Sequence, residues 1–180
     1  MDLTTPITQP IEQPFYLMLA LDQTGSIGDG GAIRGIEIID LYGPLVLGIG
    51  IVSFGAGICA DTGILSPSEA RNFLINRDNN GFFCDNGGGG PENGVDGLNR
   101  CLDVLQTLPN DALKLMFLKT DEEGWGRNDS NPVTVNSRLN TEISATWLEF
   151  ETPHINGSSY AEAFPETSKV SHTTLKVPGE

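Results

Sequence analysis

With 180 residues the chain has room for one domain with a real core and too little for two. Its 24 acidic residues outnumber 10 basic ones, and the resulting formal charge of −14 argues against any sequence-independent grip on nucleic-acid phosphates. No apolar run reaches membrane-spanning length, and the first residues lack the basic start and apolar core of a secretion signal, which leaves cell surface, virion and cytoplasm all open as locations.

Residues 1–14 carry Pro6, Pro10 and Pro14 among Thr and Gln, a composition that favours an extended arm ahead of a folded domain over 15–180. Phe15 to Asp22 is a nearly unbroken apolar run of strand length that empties into a small, polar, glycine-containing turn. Ile33, Ile36, Ile39 and Tyr42 then recur at helical spacing, and Gly43-Pro44 stops the helix. Leu45 to Phe54 reads as a second apolar strand and Ile58 to Leu65 as a short edge strand.

Ser66, Pro67 and Glu69 form a capping-box start for a helix predicted to run to about Ile75. Residues 76–90 are Asn, Asp and Gly around Phe82 and Phe83 and are predicted as a loop. A helix opens at Pro91-Glu92, with Val95, Leu98, Cys101 or Leu102, Leu105 and Leu108 on one face. Asp111 to Leu118 is a further strand ending in Thr120-Asp121, residues 122–136 a polar loop holding Trp125, and Ile143 to Phe150 a fifth strand. The last thirty residues mix short elements without a clear order. Strands alternating with helices predict an α/β fold, a three-layer α/β/α sandwich around a mostly parallel, doubly wound sheet.

Asp22, Thr24 and Ser26 alternate along the turn after the first strand, so one carboxylate and two hydroxyls can point the same way. Oxygen ligands without nitrogen or sulfur suit a hard cation such as Mg²⁺, Mn²⁺ or Ca²⁺. If a helix follows, the turn lies at the carboxyl end of a strand, where open α/β sheets place their ligands.

Asp22-Gln23-Thr24-Gly25-Ser26 resembles the Asp-x-Ser-x-Ser motif of von Willebrand factor type A domains, with Thr24 in place of the first serine. The strand ending in Ser53-Phe54, the Gly87 to Leu98 segment and the Thr120-Asp121 pair are similar to the family's later motifs, in order, over roughly Phe15 to Phe150. Gly89 stands where an acidic residue is usual, and Glu92 is the substitute for a threonine ligand the family commonly presents. The resemblance implies a degenerate metal-ion-dependent adhesion site: Asp22, Thr24, Ser26, Asp121 and Glu92 around Mg²⁺ or a similar cation, with Gly25, Gly89, Gly90, Asn93 and Trp125 about it. An open coordination position would accept a carboxylate from a protein partner. The implied role is a non-enzymatic, cation-dependent binding or adhesion module, without a nucleic-acid partner or membrane span.

Several plainer readings compete. Asp22, Thr24 and Ser26 suit the cap of the following helix without any metal, Asp121 suits a satisfied loop carboxylate, and Trp125 suits packing beneath a loop. The glycine run could cradle an anion, but no lysine follows it as in nucleotide-binding loops. His154 and His172 lack a nucleophile to serve, and Asn128 and Asn156 head glycosylation patterns that mean little without a secretion signal. Cys59, Cys84 and Cys101 are an odd number without metal-type spacing, so buried thiols or at most one disulfide are expected. Asp61-Thr62-Gly63 resembles the triplet of retroviral-type aspartic proteases, an enzyme reading at odds with a helical α/β pattern. A structural alternative uses the fold as a rigid block among neighbouring subunits of an assembly, such as a virion or tail component or a surface filament.

Overall fold

The computed structural model describes residues 14–24, 30–79, 84, 93–120, 131–141, 146–152, 159–165, 167 and 170–174. The strands are β1 (Phe15–Asp22), β2 (Val46–Phe54), β3 (Ile58–Leu65), β4 (Leu113–Lys119), β5 (Thr146–Thr152) and β6 (Val170–Thr174). The helices are α1 (Gly30–Tyr42), α2 (Pro67–Asn79), α3 (Gly94–Leu105), α4 (Pro132–Thr141) and α5 (Ser159–Ala163), with a single 3-10 turn at Gly43–Leu45 before β2. The arm expected over residues 1–14 lies outside the described residues except for Pro14.

The sheet runs β3-β2-β1-β4-β5-β6, and every neighbouring pair is parallel except β2 with β3. Side chains alternate between its faces, so each central strand must be apolar along its whole length. Met18, Ala20, Val52, Phe54, Met116 and Leu118 meet α3 and α4 on one face. Leu17, Leu19, Leu21, Ile49, Ile51 and Phe117 meet α1 and α2 on the other. The expected three-layer α/β/α arrangement follows. From β1 the chain winds one way through α1 to β2, and later returns through α3 to β4 on the opposite side of β1. The carboxyl ends of β1 and β4 therefore flank the switch point of the sheet.

Several elements depart from the sequence expectation. The buried stripe of α1 is Ala32, Gly35, Ile38 and Ile39, whereas Ile33 is 48% exposed. Glycine decides this: a Cβ on Gly35 would come within 2.6 Å of Leu74 Cδ1 and 2.9 Å of Leu21 Cδ1, so the helix approaches the sheet along its glycines. The capping box of α2 forms as predicted, with Ser66 N–H donating to Glu69 Oε2 at 2.9 Å and Glu69 N–H to Ser66 Oγ at 3.3 Å. That helix runs past Ile75 to Asn79, because Arg77 still has partners, its guanidinium 5.0 Å from the Phe73 ring centre and bonded to Gln23 Oε1 at 3.3 Å.

Helix α3 begins at Gly94 rather than at Pro91, β4 begins two residues later than expected, and the expected start of β5 at residues 143–145 lies outside the described residues. Residues 132–136, placed in a polar loop, open α4 instead. Asn131 Oδ1 accepts the Val133 N–H at 2.9 Å, Pro132 stands at the first turn, and Val135 and Leu139 are buried one turn apart.

Strand β3 is the expected edge strand and carries an irregularity. Ile51 N–H donates to Thr62 Oγ1 at 3.0 Å, and Gly63 takes φ +59° with its N–H on Asp61 Oδ1 at 3.0 Å. Asp61 Oδ2 pairs with Arg100 Nε at 2.6 Å. This corrects the protease reading: Asp61 shapes an edge-strand turn and holds α3 within an α/β sheet, far from the paired aspartates of an all-β dimer. Cys59 and Cys84 form a disulfide and Cys101 is a free, buried thiol.

Candidate functional site

Asp22 closes β1 in register with Phe54 of β2, and its position places it beside Thr120, just past β4. Its carboxylate is fully buried, as is Thr120, and Thr24 is nearly so. Oδ1 accepts the Thr24 N–H at 2.9 Å and the Thr24 Oγ1 hydroxyl at 2.8 Å. Oδ2 accepts the Thr120 hydroxyl at 2.8 Å. The first half of this cluster is a local Asx-type turn that any Asp-x-Thr can make; the second half requires the parallel pairing of β1 with β4.

Hydrogen bonding fixes what these groups can do. Thr24 Oγ1 and Thr120 Oγ1 both donate to Asp22, and the cluster they form is made of oxygen atoms alone, the donor type that suits a hard cation. Their donor chemistry fits Mg²⁺ or Mn²⁺ better than a soft metal. Among the described residues no group of three His, Cys, Asp or Glu side chains converges.

The neighbouring turns are bound to this cluster. Gln23 N–H donates to Phe54 O at 3.0 Å, and Cys84 N–H donates to Gln23 O at 2.7 Å. Asn93, at the cap position of α3, sends its N–H to Gly55 O at 2.8 Å and its Nδ2 to Ala56 O at 2.9 Å. Gly31 lies where a Cβ would collide with the Asp22 carbonyl, so the first turn of α1 rests on the end of β1. The segment 25–29, on which the capping reading of Asp22, Thr24 and Ser26 depends, lies outside the described residues.

Of the predicted site residues, the structure brings Asp22 and Thr24 together and ties Asn93 to the adjoining turn. Gly25, Ser26, Gly89, Gly90, Glu92, Asp121 and Trp125 lie outside the described residues. Two residues that join this cluster and its neighbouring turn are not singled out by the sequence. Thr120 served only as the neighbour of Asp121, although its hydroxyl is the group that reaches Asp22. Cys84 carried no local signal, since its role depends on its partner across the fold. Among the described residues no helix is long and apolar enough to cross a membrane.

No protein-family model and no curated protein sequence matches this chain. Solved structures do. Proximal thread matrix protein 1 from the mussel byssus superposes in two crystal forms, with TM-scores of 0.57 and 0.62 at 13% identity, over 78% and 90% of this chain. Manganese-loaded TRAP protein of Plasmodium vivax superposes with a TM-score of 0.51 at 16% identity over 90% of this chain. This chain spans 37% to 44% of the mussel protein and 69% of the Plasmodium chain. Together with the strand order and the switch point, these likenesses give the chain a von Willebrand A-like α/β fold.

Proposed function

We propose that this chain is a non-enzymatic protein-binding module that holds a divalent cation at the carboxyl ends of β1 and β4. The observation that carries the reading is the Asp22–Thr24–Thr120 cluster, a buried carboxylate at the switch point that gathers two hydroxyl oxygens from separate strand ends. Asp22 and Thr24 supply the fixed part of the site. Ser26, Asp121 and Glu92 are its further candidate ligands, and Gly25, Gly89, Gly90, Asn93 and Trp125 the candidate surroundings. Mg²⁺ or Mn²⁺ bound there would bridge two acidic molecules that otherwise repel, this chain at −14 and a partner carboxylate. The likeness to a manganese-loaded chain supports the choice of ion.

Calorimetric titration of Mg²⁺ and Mn²⁺ into the wild type and Asp22→Asn tests it. Saturable binding that weakens at least about tenfold in the variant supports the reading. Equal heats from both proteins, or none from either, overturn it.

A second reading is favoured by one observation, the likeness to a thread matrix protein. In it the fold is a rigid block that assembles with neighbouring subunits. Assembly that proceeds equally in chelator supports this reading, and partner binding abolished by chelator supports the first.

A further inference from the structure

We propose that the Cys59–Cys84 disulfide is the tether that holds the Asp22 turn in its ligand-ready geometry, so that reducing it releases the site while the sheet stays folded. The consequence for ion binding rests on the cation reading above, whereas the tether itself rests on contacts independent of any ion.

Cys84 belongs to no helix or strand, yet it is buried. It is wedged between the turn after β1 and the turn between β2 and β3. On one side its N–H donates to Gln23 O at 2.7 Å, one residue from Asp22 and one from Thr24. On the other its carbonyl crowds Gly55, where an added Cβ would come to 2.5 Å from Cys84 O and 3.2 Å from Thr24 Cγ2. Gly55 and Ala56 in turn accept both nitrogens of Asn93, at 2.8 and 2.9 Å, which fixes the start of α3. Three segments distant in sequence thus meet around one residue. That residue is joined to them, among the described residues, by one hydrogen bond and by the covalent bond to Cys59 at the start of β3.

The tether acts locally because the element inside its loop is held by other means. Helix α2 lies between the two cysteines, and it is packed through Ala70 and Leu74 and joined to α1 by Arg71, whose Nε and Nη2 reach the Asp40 oxygens at 2.7 and 3.1 Å. Breaking the bond therefore leaves α2 in place and frees the wedge. An external dithiol supplies two electrons and two protons. The Sγ–Sγ bond breaks to give two thiols, and the dithiol closes to its own disulfide. Half-buried Cys59 gives the reductant its approach.

Amide hydrogen exchange and Mn²⁺ titration of the oxidised and dithiol-reduced wild type test the tether. Exchange at the Gln23, Thr24, Cys84 and Asn93 amides is expected to accelerate at least about tenfold on reduction, with Leu19 and Met116 still protected. Mn²⁺ affinity is expected to fall at least about tenfold. Acceleration at those amides with no Mn²⁺ binding in either state upholds the tether and overturns the cation reading alone. Unchanged exchange there, or acceleration shared equally by Leu19 and Met116, overturns the tether. The Cys59→Ala/Cys84→Ala chain provides the same comparison without reductant.

Discussion

The Thr120 hydroxyl lies 2.8 Å from Asp22 Oδ2, across 98 positions of sequence. This bond exists because β1 and β4 run parallel and end together, and it converts two strand termini into one polar cluster inside an apolar sheet. Replacing Thr120 by Val keeps the shape and removes the donor. The variant is expected to lose about 1–3 kcal/mol of stability in urea unfolding, since a buried carboxylate oxygen forfeits that bond. Its Mg²⁺ affinity is expected to fall as well, whereas Thr120→Ser should preserve both.

The closeness of α1 to the end of β1 predicts a sharp contrast between two glycines. A Cβ on Gly31 meets the Asp22 carbonyl, while one on Gly43 meets nothing within 4 Å. Gly31→Ala is expected to destabilise by about 1–3 kcal/mol despite the better helix propensity of alanine. Gly43→Ala should be neutral or stabilising by up to about 1 kcal/mol. Thermal melts of the two variants check the difference, and equal melting would show that α1 can retreat from the strand.

Burial pushes the Cys101 thiol far up, with Asp61 and Asp103 adding to the shift. In the folded chain it should resist alkylation and react only after unfolding, which mass spectrometry after iodoacetamide treatment detects. The sign for stability follows from the raised value. Below the ordinary thiol pKa of about 8.5 both states keep the proton and nothing changes. Above it the unfolded chain releases the proton and the native chain does not, so stability falls at about 1.4 kcal/mol per pH unit from this group. Because burial lowers the Lys114 pKa and acts in the opposite sense, the measurement is the difference between wild type and Cys101→Ala. That difference should shrink as pH rises from about 8 to 10.

Asn131 caps α4 through its side-chain oxygen. Asn131→Ala is expected to cost about 1 kcal/mol in urea unfolding, and Asn131→Asp should keep most of the cap. A null result would mean that the buried Val135 and Leu139 fix the helix without help from its first turn.

Much of this architecture is written locally. The apolar runs of β1 and β2, the capping box of α2 and the stripe of α3 each depend on residues a few positions apart, and so did the Asp22–Thr24 half of the site. Helix α4 was also local, in the Asn131-Pro132 start and the Val135–Leu139 spacing, but the polar residues before it masked the signal.

What the chain could not declare by itself concerns surfaces that meet only after folding. Which face of α1 is buried depends on Leu21 and Leu74 opposite its glycines, and neither lies within reach of a helical period. Three cysteines allowed several pairings, and only the fold set Cys59 beside Cys84 with Cα atoms 5.7 Å apart. Sequence thus determined most of the elements through β5 and half of the oxygen cluster, because periodicity and turn chemistry act over a few residues. Tertiary structure decided the rest, because the Thr120–Asp22 bond and the wedge at Cys84 come into being only when strands from opposite halves of the chain end side by side.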